Sequence, residues 1–541
     1  MKFFFKIIIN SRFLFLVLST LVLILNGDNL KTAFAVHDAD QPKKQYGGEL
    51  IIAQNADLVT MDPALASDME SAKIMACIFQ GLVTYEDDST EIKPMLASSW
   101  EVHDNGKIWI FNLHKNIKFH DGTPCNAEAV VFSFLRQIDP RHPFYRKDFG
   151  YAAFAFKYVQ AVEAENEYSV KFCLEKPFAP FLYNLAMVFA SPVVSPSAIK
   201  KWGHEFEKNP VGTGPFMFET RIPGDRVILK KNSDYWGKPP YLDKLVFRSI
   251  PNIAIRFKEF QNGKIHVMDG ISPVDVKSIE QLPERRLSMQ PGLTIGYLAM
   301  NTQKPPFDNL KVRQAVNYAI NKENLVRLTY KGFALKAKNP IPPSLWGYND
   351  NIDDYEYMPE KARELLKEAG YEKGFNTTLM TMSVSRPYMS QPAKVARAIK
   401  GNLAGVGIMA DIVYEYDWKE YLKKVQNGEH EMCMYGWIGD NGDPDNFFYV
   451  LLDKDNAVKP VAQNLAFFKN EDLHKILIKA QQSSDRQERI NLYMQAQEII
   501  HDQAPWVPIA HNQQIGAYHK NVHDLIFHPT GIIKFDKVWM E

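Results

Sequence analysis

The sequence predicts an α/β fold that contains more than one domain. The chain has 541 residues, and a single hydrophobic core seldom grows beyond about 250–300 residues. Between residues 359 and 437, helical segments alternate with short apolar segments of strand length, which is typical of parallel strands connected by helices. Hydrophobic residues make up 46% and charged residues 23% of the chain, so the composition is that of a globular protein and excludes a disordered or fibrous one.

The amino-terminal half predicts strands mixed with short helices, beginning near Gly48. An Asp-Asn-Gly turn signal at 104–106 precedes an alternating apolar segment, as expected for a strand that follows a tight turn. Proline and glycine cluster at 209–215, and this composition predicts a chain crossing rather than a helix or strand. The predicted strands are 50–54, 108–113 and 168–174, and the predicted helices are 69–79 and 127–136.

The carboxyl-terminal half predicts an α/β layer that begins near Met300. Pro359 suits the first position of a helix, and Gly370 suits its carboxyl-terminal cap. The predicted helices are 312–319, 360–369, 393–403, 418–426 and 485–501, and the predicted strands are 377–382, 408–414, 432–437 and 506–510. We expect a polar tail after the last strand.

The first 35 residues predict a signal peptide. Three basic residues precede a short apolar run at 13–25, and a small-x-small site ends at Ala35. The alternative is an amino-terminal membrane anchor, but the run is shorter than the roughly 20 residues that a spanning helix needs. We therefore expect cleavage after Ala35 and a mature protein outside the cytoplasm.

Charge and cysteine content exclude several classes of function. The chain has 63 basic and 63 acidic residues, and nucleic-acid binding needs a basic excess. Cys77, Cys125, Cys173 and Cys433 are too sparse to form a disulfide scaffold; Cys125 and Cys173 could pair, or all four could be buried thiols. His430 and Cys433 form an isolated pair at zinc spacing, so we expect no metal site and no cofactor.

Catalytic motifs of the common enzyme classes are absent from the sequence. It contains no P-loop, no G-x-S-x-G elbow and no H-E-x-x-H motif. Carboxylate pairs leave weak signatures, so an exported hydrolase that uses Asp440, Asp443 or Asp445 as acid and base remains an alternative hypothesis.

The densest polar cluster, at 440–446, directly follows the predicted strand that ends at Trp437. Ligands of α/β layers bind beyond the carboxyl ends of the strands. Trp437 and the phenylalanines at 447–448 would shelter a carboxylate such as Asp440, and a sheltered carboxylate attracts an ammonium group strongly. A solvated turn and a calcium loop are the alternatives, although the glycine and distal glutamate of an EF-hand are missing.

Arg386 follows another strand of the same predicted layer. Its planar guanidinium suits a carboxylate, because it donates two parallel hydrogen bonds. Taken alone, Arg386 also fits a surface loop. Together with Asp440 at a neighbouring strand end, it would match a zwitterion that carries an ammonium and a carboxylate.

These segments give the chain a family resemblance from about Gly48 to its carboxyl terminus. It closely resembles the periplasmic dipeptide-binding proteins of ATP-binding-cassette importers, in extracellular solute-binding family 5. The resemblance is carried by 96–122, NPVGTGPF at 209–216, DYWGKPPYLDKLVF at 234–247, VRQAVNYAIN at 312–321, IPPSLWGYND at 341–350 and GWIGDNGDPDNFF at 436–448. The last two segments match the dipeptide-type branch.

The resemblance implies a periplasmic-binding-protein-like α/β fold with two hinged lobes around a cleft and an extra domain in the first lobe. The implied first lobe comprises 47–80, 211–299 and 512–541, the additional domain 81–210, and the second lobe 300–511. The protein would be a monomeric periplasmic binder without enzymatic activity, and it would deliver dipeptides or short peptides to an inner-membrane permease.

The same resemblance implies roles for four residues. Asp440 matches the residue that binds the ligand ammonium, Arg386 the one that binds its carboxylate, and Tyr388 and Trp437 match neighbouring cleft residues. The chain departs from the family at Ala53, where a disulfide cysteine is expected, and it has a shortened loop after Phe448. A binder of haem or another small solute is the alternative within the family, and a structural envelope protein is an alternative outside it.

Overall fold

The computed structural model describes residues 43–271 and 275–541. Residues 45–541 form one unit by their internal contacts. The predicted signal peptide at 1–35 and its cleavage point after Ala35 lie outside the described residues. Across the described ranges, no helix combines the length and the apolar character that crossing a membrane requires.

The described strands form one large mixed sheet, a four-stranded sheet and three two-stranded sheets. Along the chain they are β1 (Glu49–Gln54), β2 (Val83–Tyr85), β3 (Ile92–Pro94), β4 (Ala97–His103), β5 (Ile108–Leu113), β6 (Val159–Asn166), β7 (Ser169–Leu174), β8 (Phe216–Ile222), β9 (Arg226–Lys231), β10 (Lys244–Ser249), β11 (Val267–Asp269), β12 (Arg285–Pro291), β13 (Thr294–Met300), β14 (Ala334–Lys336), β15 (Phe375–Met382), β16 (Ile408–Glu415), β17 (Met432–Ile438), β18 (Trp506–His519), β19 (Val522–His523), β20 (Ile526–Phe527), β21 (Ile533–Lys534) and β22 (Trp539–Met540).

Helices connect these strands and cover the sheets. They are α1 (Met69–Ile78), α2 (Ala127–Ile138), α3 (Gly150–Ala155), α4 (Phe181–Asn184), α5 (Pro196–Trp202), α6 (Ile253–Gln261), α7 (Val276–Glu280), α8 (Leu310–Ala319), α9 (Lys322–Tyr330), α10 (Pro359–Glu368), α11 (Pro392–Ala404), α12 (Trp418–Gln426), α13 (Asp445–Leu452), α14 (Glu471–Gln482) and α15 (Arg486–Gln503). Pro359 occupies the first turn of α10, as its fixed φ favours.

The predicted parallel pairing is confirmed in the carboxyl-terminal half. β15 pairs in parallel with β16 over its whole length, and Leu379 of β15 lies opposite Met432 of β17 in a second parallel pair. Helix α12 begins where the Asp417 carboxylate accepts a hydrogen bond from the amide of Glu420. These connections place the carboxyl ends of β15 and β17 at the same edge of the sheet.

Strand β18 is longer than the sequence predicts. It runs for 14 residues rather than ending at Ala510. Its first part pairs with β13, where Ala299 lies opposite Trp506, and its second part pairs with β11 and β12. The predicted polar tail is therefore wrong: the segment continues the large sheet and then forms the four short strands β19–β22.

Three large buried cores lie in different parts of the chain. One is built from residues between 293 and 510, a second from parts of 50–79, 187–247 and 522–538, and a third from residues between 82 and 193. All four cysteines are free, so the possible pairing of Cys125 with Cys173 does not form.

The Pro/Gly-rich crossing at 209–215 follows from close backbone packing. A Cβ atom on Gly212 would lie 2.1 Å from the carbonyl oxygen of Ile78, at the end of α1. Because no side chain fits there, position 212 needs glycine, and the segment forms neither a helix nor a strand, as predicted.

Candidate ligand-binding site

Two loops leave the large sheet at the edge where β15 and β17 end. The loop after β15 carries Arg386, and the loop after β17 carries Asp440. The two strands are direct neighbours and run in parallel, so the sheet brings both loops to one edge, where α/β proteins bind ligands.

The carboxylate of Asp440 has hydrogen-bond donors but no cation. Its Oδ1 accepts from the Tyr151 hydroxyl at 3.0 Å, and its Oδ2 accepts from Nδ2 of Asn446 at 3.2 Å. No lysine or arginine of the described residues forms an ion pair with it, and burial raises its pKa. A cationic group would complete this arrangement.

Asn446 holds the Asp440 loop in place. Its Oδ1 accepts from the backbone amide of Asp440 at 3.0 Å and from Nε1 of Trp437 at 2.8 Å, while its Nδ2 donates to Asp440. The sequence analysis missed this role, because one asparagine among several Asp and Asn residues carries no distinguishing signal. Trp437 therefore contributes to the site through Asn446.

Asp443 and Asp445 are structural rather than ligand-facing residues. Asp443 is fully buried, and its Oδ1 lies 2.7 Å from Nη2 of Arg489. Asp445 accepts two hydrogen bonds from Nε2 of Gln481, and burial raises its pKa to about 7. Neither residue lines the cavity described below, so Asp440 has no second acid of this loop beside it there to complete the acid and base pair of the hydrolase hypothesis.

Arg386 and Tyr388 lie on the neighbouring loop. The Arg386 guanidinium stacks 3.6 Å above the ring centroid of Trp418, and its buried Nε has no hydrogen-bond partner among the described residues. The Tyr388 ring packs on β17 at Gly436, where a Cβ atom would come within 2.2 Å of the ring. Trp418 is a second residue that the sequence analysis missed, because the tryptophan sits 32 positions further along the chain.

A cavity of about 420 Å³ adjoins the Asp440 loop. Asp440 and Tyr151 line it, whereas Arg386, Tyr388 and Trp437 lie outside its lining. The structure thus places one of the four predicted site residues in the cavity and three beside it. Ile438 and Gly439, directly before Asp440, also line it, and the remaining lining comes from segments distant in sequence, within 67–95, 186–235 and 528–537.

One group of potential metal ligands occurs in the described part of the chain. The ligand atoms of Asp453, Asp455 and His474 lie within 4.8 Å of one another. The Asp453 carboxylate already accepts from the amide of Asp455 at 2.9 Å and lies 3.0 Å from Nδ1 of His474. This network caps a short helical turn, and it lies outside the cavity lining.

Comparison with known proteins gives consistent matches over most of the chain. The family model "Bacterial extracellular solute-binding proteins, family 5 Middle" matches residues 91–459. The dipeptide-binding protein of Escherichia coli K12 is 39% identical over 483 residues, which is 86% of this chain and 89% of the relative. Heme-binding protein A of Haemophilus influenzae is 38% identical over 474 residues, 85% of this chain and 86% of the relative.

A solved structure of a related protein has the same fold as this chain. The ABC transporter-associated periplasmic binding protein DppA from Helicobacter pylori, in complex with the peptide STSA, matches with a TM-score of 0.75 and 39% identity. The match covers 92% of this chain and 99% of that protein. The fold class that the sequence resemblance implied is therefore confirmed.

Proposed function

Because the chain belongs to the bacterial extracellular solute-binding proteins of family 5, we propose that it captures dipeptides or short peptides for an ABC-type importer. The names of its relatives support this: one at 39% identity is a dipeptide-binding protein, and a structural neighbour holds a four-residue peptide. Binding, not catalysis, is the proposed activity.

The single observation that carries the proposal is the Asp440 carboxylate. It lines a cavity of peptide size, receives hydrogen bonds from Tyr151 and Asn446, and lacks a cation. A half-buried carboxylate without a cation is unfavourable, and a peptide ammonium supplies both the charge and the hydrogen-bond donors. We assign the ligand ammonium to Asp440.

We assign the ligand carboxylate to Arg386. Its Nε lacks a partner among the described residues, and stacking on Trp418 holds the guanidinium plane in one orientation. Tyr388 and Trp437 would flank the ligand backbone. Arg386 lies outside the cavity lining, so the assignment requires the ligand to extend from the cavity toward this loop as the lobes close.

We also propose three domains: a first lobe of 47–80, 211–299 and 512–541, an additional domain of 81–210, and a second lobe of 300–511. The core built from residues between 82 and 193 supports the additional domain, whereas the core that joins parts of 50–79, 187–247 and 522–538 extends across its boundary at 210. We further propose a monomer that is exported, cleaved after Ala35 and docked on an inner-membrane permease. Sequencing of the exported protein should then begin at Val36, and a retained leader in a membrane fraction would contradict it.

Calorimetry with Ala-Ala, its N-acetylated form and its C-amidated form tests the proposed function. The free dipeptide should bind, and either cap should weaken binding by about two to four orders of magnitude, because a buried charge that loses its partner keeps its desolvation cost of about 3–5 kcal/mol. Asp440→Asn should weaken binding similarly, whereas the exposed Asp308→Asn should not. Equal binding of all three ligands within tenfold would overturn the charge assignment.

Haem is the second ligand to test, because a relative at 38% identity is named a heme-binding protein. An absorbance titration with haem measures haem binding, and calorimetry with the dipeptide measures peptide binding. Tight haem binding together with no dipeptide binding would overturn the peptide proposal.

A further inference from the structure

The cavity contains a second carboxylate that forms no ion pair with the described residues, Asp536. It lines the cavity at the segment that follows β21. Its carboxylate accepts a hydrogen bond from its own backbone amide, but no side chain of the described residues hydrogen-bonds to it or forms an ion pair with it. Its negative charge contributes to the raised pKa of the Tyr235 phenol and of the Cys77 thiol. Both of these residues line the same cavity.

The lysines near Asp536 are already occupied by other acceptors. Nζ of Lys534 donates to the carbonyl oxygens of Tyr85 and Glu86, at 2.9 Å each, and to Asp87 at 3.1 Å. Nζ of Lys537 lies 2.6 Å from Oδ2 of Asp87.

Lys93, the third lysine of the lining, is shared between two other carboxylates. Its Nζ lies 3.0 Å from Glu86 and 3.3 Å from Asp87. The lysine cluster is therefore organised around Asp87, and together these ion pairs hold the pKa of Asp87 below its usual range against the effect of burial. Asp536 is left without a direct cationic partner.

The Asp536 side chain is exposed within the cavity, so a ligand can reach its carboxylate. The wall of the cavity is largely apolar, and partial desolvation of the Asp536 carboxylate by this wall raises its pKa although Lys537 and Lys534 oppose the shift. Lining residues of this apolar kind include Met69, Phe79, Phe189, Phe216, Ile532 and Phe535. A carboxylate in an apolar cavity gains most from a ligand group that brings a positive charge and hydrogen-bond donors.

The cavity thus presents two carboxylates that lack cations, Asp440 and Asp536. This inference rests on the proposed function. We propose that the preferred ligands are short peptides with a basic side chain. The ammonium or guanidinium group of that side chain would bind Asp536, while the peptide's amino-terminal ammonium binds Asp440. The apolar wall would contact the aliphatic part of a lysine or arginine side chain.

Matched dipeptides test this specificity by calorimetry on the mature protein. The series pairs Lys-Ala and Ala-Lys with Met-Ala and Ala-Met, which are similar in length but uncharged, and with Glu-Ala and Ala-Glu. At least one lysine peptide should bind about ten- to 100-fold more tightly than its methionine counterpart, as expected for one charge-assisted interaction.

Two substitutions and a control assign the preference to Asp536. Asp536→Asn should remove the preference for lysine while binding of the methionine peptides is retained, and Asp536→Glu should retain part of it. Asp308→Asn, an exposed carboxylate outside the cavity lining, should leave the preference unchanged. Thermal unfolding checks that each variant is folded.

The outcomes separate this inference from the proposed function. Equal binding of lysine and methionine peptides, or a preference that survives in Asp536→Asn, would overturn the role of Asp536 and leave peptide binding intact. Tighter binding of the glutamate peptides would instead assign the pocket to its lysine cluster. If none of the six peptides binds, the proposed function fails, and this inference fails with it.

Discussion

At the scale of single residues, the site depends on which acids of the 440–446 loop remain without a cation. Asp443 is neutralised by Arg489, and Asp445 is held by Gln481 in the interior. Asp440 receives only neutral donors, from Tyr151 and Asn446. Three similar residues in one short loop therefore have different roles, and the difference lies in the partners that the fold brings to each.

The first prediction concerns Asn446. In Asn446→Asp, the amide that donates to Asp440 is replaced by a second carboxylate, so the two negative charges repel each other and the loop loses a hydrogen bond. We expect peptide affinity, measured by calorimetry, to fall about tenfold or more, since one such contact contributes about 1–2 kcal/mol.

The matched control is Asn491→Asp on the exposed face of α15, which makes the same change in charge. The peptide affinity of Asn491→Asp should equal that of the unmodified protein. Wild-type affinity in Asn446→Asp would show that Asn446 does not position Asp440.

The second prediction concerns the pH dependence contributed by Asp445. Its folded-state pKa is raised to about 7, whereas an unfolded aspartate titrates near 3.9. The folded state therefore holds the proton more tightly, and this group lowers the free energy of unfolding as pH rises from about 4 to about 7.

Asp445→Asn removes this titration and keeps an oxygen that accepts from Gln481. We expect the variant to be more stable than the unmodified protein at pH 8, by about 2–4 kcal/mol, and nearly equal to it at pH 4. Urea unfolding at both pH values measures the difference. A variant that is less stable at pH 8 would contradict the assignment.

At the scale of elements, neighbouring parallel strands decide where the binding loops meet. The carboxyl ends of β15 and β17 share one edge, and Tyr388 anchors its loop by packing on Gly436 of β17. The Tyr330 hydroxyl also donates to the carbonyl oxygen of Tyr388 at 3.1 Å. The Arg386 loop is thus fixed to the strand that leads to Asp440.

The third prediction tests this coupling with Gly436→Ala. The added Cβ would lie 2.2 Å from the Tyr388 ring, so the ring and its loop must move, at a cost of about 1–3 kcal/mol in stability. We expect lower peptide affinity in calorimetry together with a lower unfolding temperature.

Gly401→Ala in helix α11 is the control, because nothing lies within 4 Å of its added Cβ. Alanine in a helix interior should stabilise that variant by about 0.5–1 kcal/mol and leave affinity unchanged. Unchanged affinity in Gly436→Ala would show that the Arg386 loop tolerates the displacement.

At the scale of the whole molecule, the Asp440 loop lies against the region 81–210. Nδ2 of Asn441 donates to Oδ1 of Asn184 at 2.7 Å, and the amide of Gly442 donates to the Tyr85 hydroxyl at 3.1 Å. These contacts join residues more than 250 positions apart in sequence. Because they cross between different buried cores, they are the contacts that relative movement of the lobes would break.

The fourth prediction follows from these contacts. We expect the radius of gyration, measured by small-angle X-ray scattering, to decrease when a saturating dipeptide is added, because the ligand stabilises the closed arrangement. Asp440→Asn should show no decrease at the same peptide concentration. An unchanged radius despite binding demonstrated by calorimetry would contradict closure of the lobes.

The sequence by itself determined most of the regular elements and the position of the two candidate binding loops. Capping residues, proline positions and apolar periodicity are local signals, and they predicted segments such as 377–382 and 418–426 close to their observed bounds. The resemblance named Asp440, which lies in the contiguous segment 436–448, and it also named Arg386. Such features depend on neighbours within a few residues in the chain.

Only the tertiary structure decided how far β18 extends and what surrounds Asp440. The second half of β18 contains a polar run at 511–514, and its strand conformation comes from pairing with β11, β12 and β14. Likewise, Tyr151 and Asp536 reach the cavity from distant segments. Long-range pairing and burial depend on the packing of the whole chain, so no local pattern could reveal which carboxylates would remain unpaired.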